Sequence, residues 1–199
     1  MFAGPKVSQS LPQLIMRRPH LRRLPEPALA EGYTIRDFEP GDEEGWNRLM
    51  AASFERDLSE FNFRRMMARH PAFRRERVKL AVADDATLAA TASSWVDARF
   101  GPDNAILHWV GTHPGHVGQR LGYEVSLAAL QQAGAERRAA ATLLTDDGRI
   151  AAIKTYLRLG FVPVLSHASH ADRWGAILKK LGTHTHHLAL LDGPLEKIG

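Results

Sequence analysis

Apolar and polar residues first alternate regularly at Tyr33-Thr34-Ile35-Arg36-Asp37-Phe38, and this period of two predicts a strand. Glu39-Pro40-Gly41-Asp42 stops it. Asp42 is placed to cap a helix running to about Ser53, with Trp46, Leu49 and Met50 on one face. A second helix is expected over 58–69, ending before Pro71. Residues 78–83 and 88–99, joined by Asp84-Asp85-Ala86-Thr87, read as a hairpin. A strand follows at 105–112, then a glycine-punctuated turn at 115–122 that opens a helix to about Ala135, with Gly134 as its expected cap. Residues 139–144 form a short apolar strand. Asp146 or Asp147 is expected to cap a helix over 148–159, whose Ile150, Ile153 and Leu157 make a core stripe. Gly160 ends it, and 161–165 is another strand. The tail suggests a helix near 172–181 and a strand near 186–191. This order predicts an α/β or α+β layered fold around one mixed sheet.

Upstream, Pro5, Pro12, Pro19, Pro25 and Pro27 preclude a continuous helix. Residues 1–32 are therefore expected to be a basic, Pro-rich arm with one short strand at 13–17, ahead of a single domain over 33–199.

Composition narrows the function classes. With 44% hydrophobic residues in 199, the chain can fill a core, which excludes wholesale disorder. The absence of cysteine excludes a disulfide scaffold, Cys-ligated zinc, iron–sulfur clusters and a thiol nucleophile. It permits a reducing compartment, so a cytoplasmic location is expected. No run of about 18 apolar residues predicts a membrane span. The net charge of +4 is mild. The basic pairs, among them Arg64-Arg65 and Arg137-Arg138, are scattered among acids, which favours a solvated surface over a nucleic-acid site. His184 and His186 would share one face of a strand, as zinc ligands can, but no carboxylate stands beside them and no metal is expected.

The turn at 115–122 carries the chemistry. It follows a strand and starts a helix, where unpaired N–H groups and the helix dipole favour a phosphate. It lacks the Gly-Lys-Ser/Thr of a Walker loop and the glycine spacing of a dinucleotide-binding loop.

The run from Val110 to Gly122 (VGTHPGHVGQRLG) instead resembles the acetyl-CoA loop of the GNAT superfamily of N-acyltransferases. About 35 residues on, Ala151 to Phe161 (AAIKTYLRLGF) resembles the same superfamily's helix ending in Tyr-x-x-x-Gly-Phe. The resemblance implies a mixed sheet of six or seven strands flanked by helices, splayed between the strands at about 105–112 and 139–145. It implies acetyl-CoA as cosubstrate and an amine acceptor, small molecule or peptide. The oxyanion and pantetheine contacts fall to the main chain of Val110, Gly111 and Thr112. The pyrophosphate contacts fall to Val117, Gly118, Gln119, Arg120, Leu121 and Gly122, and Arg149 joins the cofactor-binding positions. Tyr156 is the expected acid for the leaving thiolate. His108, placed by a period of two on the face of Val110 and Thr112, is the candidate base, with Asp97, Asp103 and a water path as alternatives. Val117 and Arg120 depart from the family's loop. A non-catalytic acyl-CoA-binding or sensing domain therefore stays open; so, on the basic arm over 1–32, does a nucleic-acid-associated module, and a homodimer is also open.

Overall fold

The computed structural model describes residues 11–182 and, by their backbone, 191–192. The strands are β1 (Leu14–Arg18), β2 (Tyr33–Asp37), β3 (Val78–Ala83), β4 (Leu88–Trp95), β5 (Asn104–Thr112), β6 (Ala140–Thr145), β7 (Val162–Leu165) and β8 (Leu191–Asp192). The helices are α1 (Glu43–Phe54), α2 (Leu121–Ala135), α3 (Ile150–Arg158) and α4 (His170–Lys180). All eight strands form one mixed sheet in the order β2-β3-β4-β5-β6-β1-β7-β8, one more than the upper count expected. The expected strand near 186–191 and the histidines at 184, 186 and 187 lie almost wholly outside the described residues.

Alternation along each strand divides the core between the two faces. On one face Leu107 packs with Val125 and Leu127 of α2, Ile153 of α3 and Trp174 of α4. On the other, Ile106 packs with Trp46, Leu49 and Met50 of α1 and with Phe61, Phe63 and Met67.

The segment expected as an arm supplies an interior strand. β1 pairs antiparallel with both β6 and β7, and Leu14 and Met16 are fully buried. The chain then returns to the far edge across α2. There the Ala28 N–H donates to Glu124 at 2.9 Å, and Gln131 donates to the Pro25 carbonyl at 2.8 Å. The prolines shape this return path rather than the strand.

The helix expected over 58–69 is broken. A 3-10 turn at Leu58–Glu60 and a single wide turn at Arg64–Ala68 flank extended backbone at Phe61. Phe61 and Phe63 are both buried, and residues two apart cannot share a helix face. Asp57, Asn47 and Asn62 take up the freed amides of Ser59, Phe63 and Arg65. Two expected caps also differ. Arg149 precedes α3, because Asp147 pairs with Arg173 and Asp146 accepts from Gln13. Gly134 lies inside α2. Gly160 does follow α3, with φ +82°.

Two irregularities shape the centre. β5 and β6 are parallel and paired only from Asn104–Ala140 to Ile106–Thr142; beyond that they part. The register between β4 and β5 also slips, so that Trp109 and Val110 together face Ala92. Trp109 adopts φ +47° there, the signature of a bulge that bends the strand.

Candidate active site

The parting strands open a cleft of about 860 Å³. The end of α1, the end of β5, the start of α2 and the first turns of α3 bound it through residues 53–56, 110–112, 116–118, 120–123, 149–152, 155 and 156; Gln119, expected among the cofactor-binding residues, does not line it. That volume lies within the range of small-molecule sites.

At one end lies the loop before α2. None of the amide N–H groups of Val117 to Gly122 donates to another described residue. The first N–H groups of a helix have no intrahelical acceptor, as at Leu121 and Gly122, and such a helix start favours an anion. Gly118 takes φ +89° with open space around it, and a Cβ on Gly122 would stand 2.9 Å from Thr112 Oγ1. Arg120 holds the left-handed conformation at φ +59°, which costs a side-chain-bearing residue roughly 1–2 kcal/mol. Its guanidinium lies 3.3 Å from buried Glu124 and over the Tyr123 ring. Arg120 is among the residues that line the cleft.

Beside that loop, where β5 and β6 part, lies the end of β5. The Val110 carbonyl accepts from Arg149 Nη2 at 3.3 Å, and the same guanidinium lies 4.1 Å from the centre of the Phe54 ring. The Thr112 N–H donates to Ser53 Oγ at 3.1 Å. A Cβ on Gly111 would meet Ser53 Oγ at 3.0 Å, so glycine is what lets α1 approach.

Tyr156 lines the cleft while only 4% exposed, and its ring meets Phe161 edge-on at 6.2 Å. Burial pushes its hydroxyl up to about 12, against a smaller opposing pull from Arg149. The group keeps its proton through the neutral range.

His108 is not brought to the cleft. The bulge breaks the period of two, so His108 follows Ile106 onto the α1 face, among Trp95 and Trp109. Val110 and Thr112 face α2 instead. Burial first, and His70 second, push the imidazole down to about 4, with Asp97 a partial counterweight. It is neutral at pH 7 and a weak base. Asp97 is held by Arg99 on the hairpin rim, outside the cleft.

The sequence reading missed Ser53, Phe54 and Glu55. No motif marks them. Only the helix end after Met50, cut by the left-handed Glu55, could have pointed to a residue capping the next strand.

Residues 36–161 match the family model described as the Acetyltransferase (GNAT) family. The chain belongs to this family. This GNAT chain is 31% identical over 157 residues to a mycothiol acetyltransferase of Thermobispora bispora, covering 73% of the chain and 52% of that protein. It is 29% identical to the mycothiol acetyltransferase of Salinispora tropica over 167 residues, 78% of the chain and 53% of the relative. The GNAT chain therefore spans about half the length of the curated relatives it matches. A GCN5-related N-acetyltransferase from Sphaerobacter thermophilus shares its fold at a TM-score of 0.57 and 21% identity, over 77% of this chain and 49% of the other. Among the described residues of the GNAT chain no helix is long and apolar enough to cross a membrane.

Proposed function

We propose that this chain transfers an acetyl group from acetyl-CoA to an amine, small molecule or peptide, by direct attack of the amine on the thioester. What supports the reading above all is the juxtaposition of six unengaged amides at Val117–Gly122 with a gap in the sheet that opens after Ile106. In this reading the amides of Val117, Gly118, Gln119, Arg120, Leu121 and Gly122 receive the diphosphate, aided by the α2 dipole. In the same reading the main chain of Val110 and Gly111 would supply polar partners for the thioester carbonyl. Holding both reactants in one cleft lowers the barrier by converting their meeting into an intramolecular event.

Tyr156 donates a hydrogen bond to the leaving sulfur. Its hydroxyl at about 12 is a weaker acid than a thiol at about 8.5, so complete proton transfer is uphill and hydrogen bonding is its contribution. The amine proton leaves to water through the open cleft rather than to His108, which faces away.

A thermal shift with CoA, followed by a thiol-release assay over an amine panel, tests this. CoA at about 100 times its Kd stabilises the fold by about 2.7 kcal/mol, roughly 5–10 °C for a chain of this size. No shift sinks the proposal. A shift without thiol release for any amine would leave binding without catalysis.

A further inference from the structure

We propose that Arg149 is a carboxylate receptor at the acyl end of the cleft, so that one of the two substrates carries a carboxylate close to the reacting atoms. This rests on the acyl-transfer reading and deepens it.

The placement of the guanidinium is the starting point. It does not lie along the amide cup of Val117–Gly122 but against Val110 and Phe54, where β5 and β6 part. Its planar fork carries five N–H donors, matched to carboxylate geometry, and one described acceptor, the Val110 carbonyl, meets it. Elsewhere an acid meets several partly buried arginines, Asp42 for Arg36, Glu136 for Arg77 and Asp147 for Arg173, while Arg18 is held by carbonyls alone. Among the described residues no carboxylate lies within 4.0 Å of Arg149. Of the two acids lining the cleft, Asp146 is already engaged by Gln13, and Glu55 caps α1 on the exposed rim.

The half-buried guanidinium meets one carbonyl and one aromatic face, which leaves N–H donors for an arriving carboxylate to take up. The phenyl face lies 4.1 Å from the guanidinium and limits its motion, while one donor is fixed on the Val110 carbonyl where the strands part. A carboxylate can arrive from either side, at the far end of a dicarboxylic acyl group or on the amine acceptor. Both would meet the same fork.

Two matched pairs separate the sources. Succinyl-CoA is compared with butyryl-CoA as donor, and 5-aminopentanoate with pentylamine as acceptor, in the wild type, Arg149→Met and Arg149→Lys. Thiol release gives kcat/KM, and calorimetric affinities, measured with CoA present for the acceptors, give the same comparison for binding. We expect one pair to show a preference of about ten- to a hundred-fold for the carboxylate in the wild type. It should fall to within about twofold in Arg149→Met, with Arg149→Lys between. Preference below about threefold in both pairs overturns the inference, as does a preference that survives in Arg149→Met. Equal weakening of CoA itself and of every acyl-CoA in Arg149→Met would assign the residue to a phosphate and also overturn it. Absence of CoA binding in the wild type would remove the acyl-transfer reading, a result distinct from CoA binding without carboxylate preference.

Discussion

Replacing Tyr156 by phenylalanine keeps the ring that packs against Phe161 and removes the single atom proposed to meet the leaving sulfur. A hydrogen bond to a developing charge contributes about 1.5–3 kcal/mol, so kcat should fall roughly 10- to 150-fold. KM for acetyl-CoA should stay near its original value, because the interaction forms only as the sulfur becomes anionic. Stability supplies a second reading of the same substitution. The hydroxyl has an ordinary value of 10.0 and stands at about 12 in the fold, a difference of roughly 3 kcal/mol between the two protonation states. Between pH 10 and 12 the unfolded chain loses this proton while the folded chain holds it. Folding stability from this group is thus complete below pH 10 and declines as pH rises through that window. Urea titrations at pH 9 and 11.5 should show a smaller alkaline loss in Tyr156→Phe than in the wild type. A kcat within about twofold of wild type would remove Tyr156 from the chemistry. Identical alkaline losses in the two proteins would refute the buried, protonated hydroxyl.

Three further outcomes follow from the packing. Because burial holds His108 near 4, stability should fall as pH drops from 6.5 toward 4, by about 3 kcal/mol. Urea titrations of His108→Gln should lack that loss, while its kcat/KM profile between pH 6 and 8 should match the wild type. Gly160→Ala should cost about 2–3 kcal/mol. The position takes φ +82°, and the new methyl would displace Arg18, which donates to the Leu159 carbonyl. In an Arg18→Ala background the same change should cost about 1 kcal/mol less, and equal costs in both backgrounds would show no coupling. Met16→Ala should cost about 2–5 kcal/mol by chemical denaturation; a cost under 1 kcal/mol would mean β1 is not a core strand.

Much of this arrangement was legible in the residues themselves. The hairpin and the strand–loop–helix at 105–135 follow from period and punctuation. The two motifs, in order and at their spacing, located the cleft that forms between β5 and α3. Single-residue geometry was harder to read. A bulge at Trp109–Val110 leaves no trace in the alternation, yet it puts His108 on the face opposite Val110 and Thr112. Arg120 reads as a departure from a glycine position, but it takes the left-handed conformation a glycine would, with its side chain beside Glu124 and Tyr123. The interior place of β1 was hidden for a different reason. Five residues carry its strand signal, whereas the partners that bury it lie far along the chain. Tertiary pairing, not local propensity, decides such a strand. The broken helix at 58–68 repeats the point, since the need to bury Phe61 and Phe63 together outweighs a helical pattern.

The position of β1 has a consequence for biosynthesis. Arg18 and the Leu159 carbonyl it caps are 141 residues apart, so β1 leaves the ribosome long before the strands that flank it. The β2–β5 meander can assemble during translation, since its strands pair in order with their neighbours. The other half of the sheet cannot close until β6 and β7 have emerged on either side of β1. Until then Leu14, Ile15 and Met16 remain an unpaired apolar strand, the segment of the nascent chain most open to chaperone capture or to mispairing.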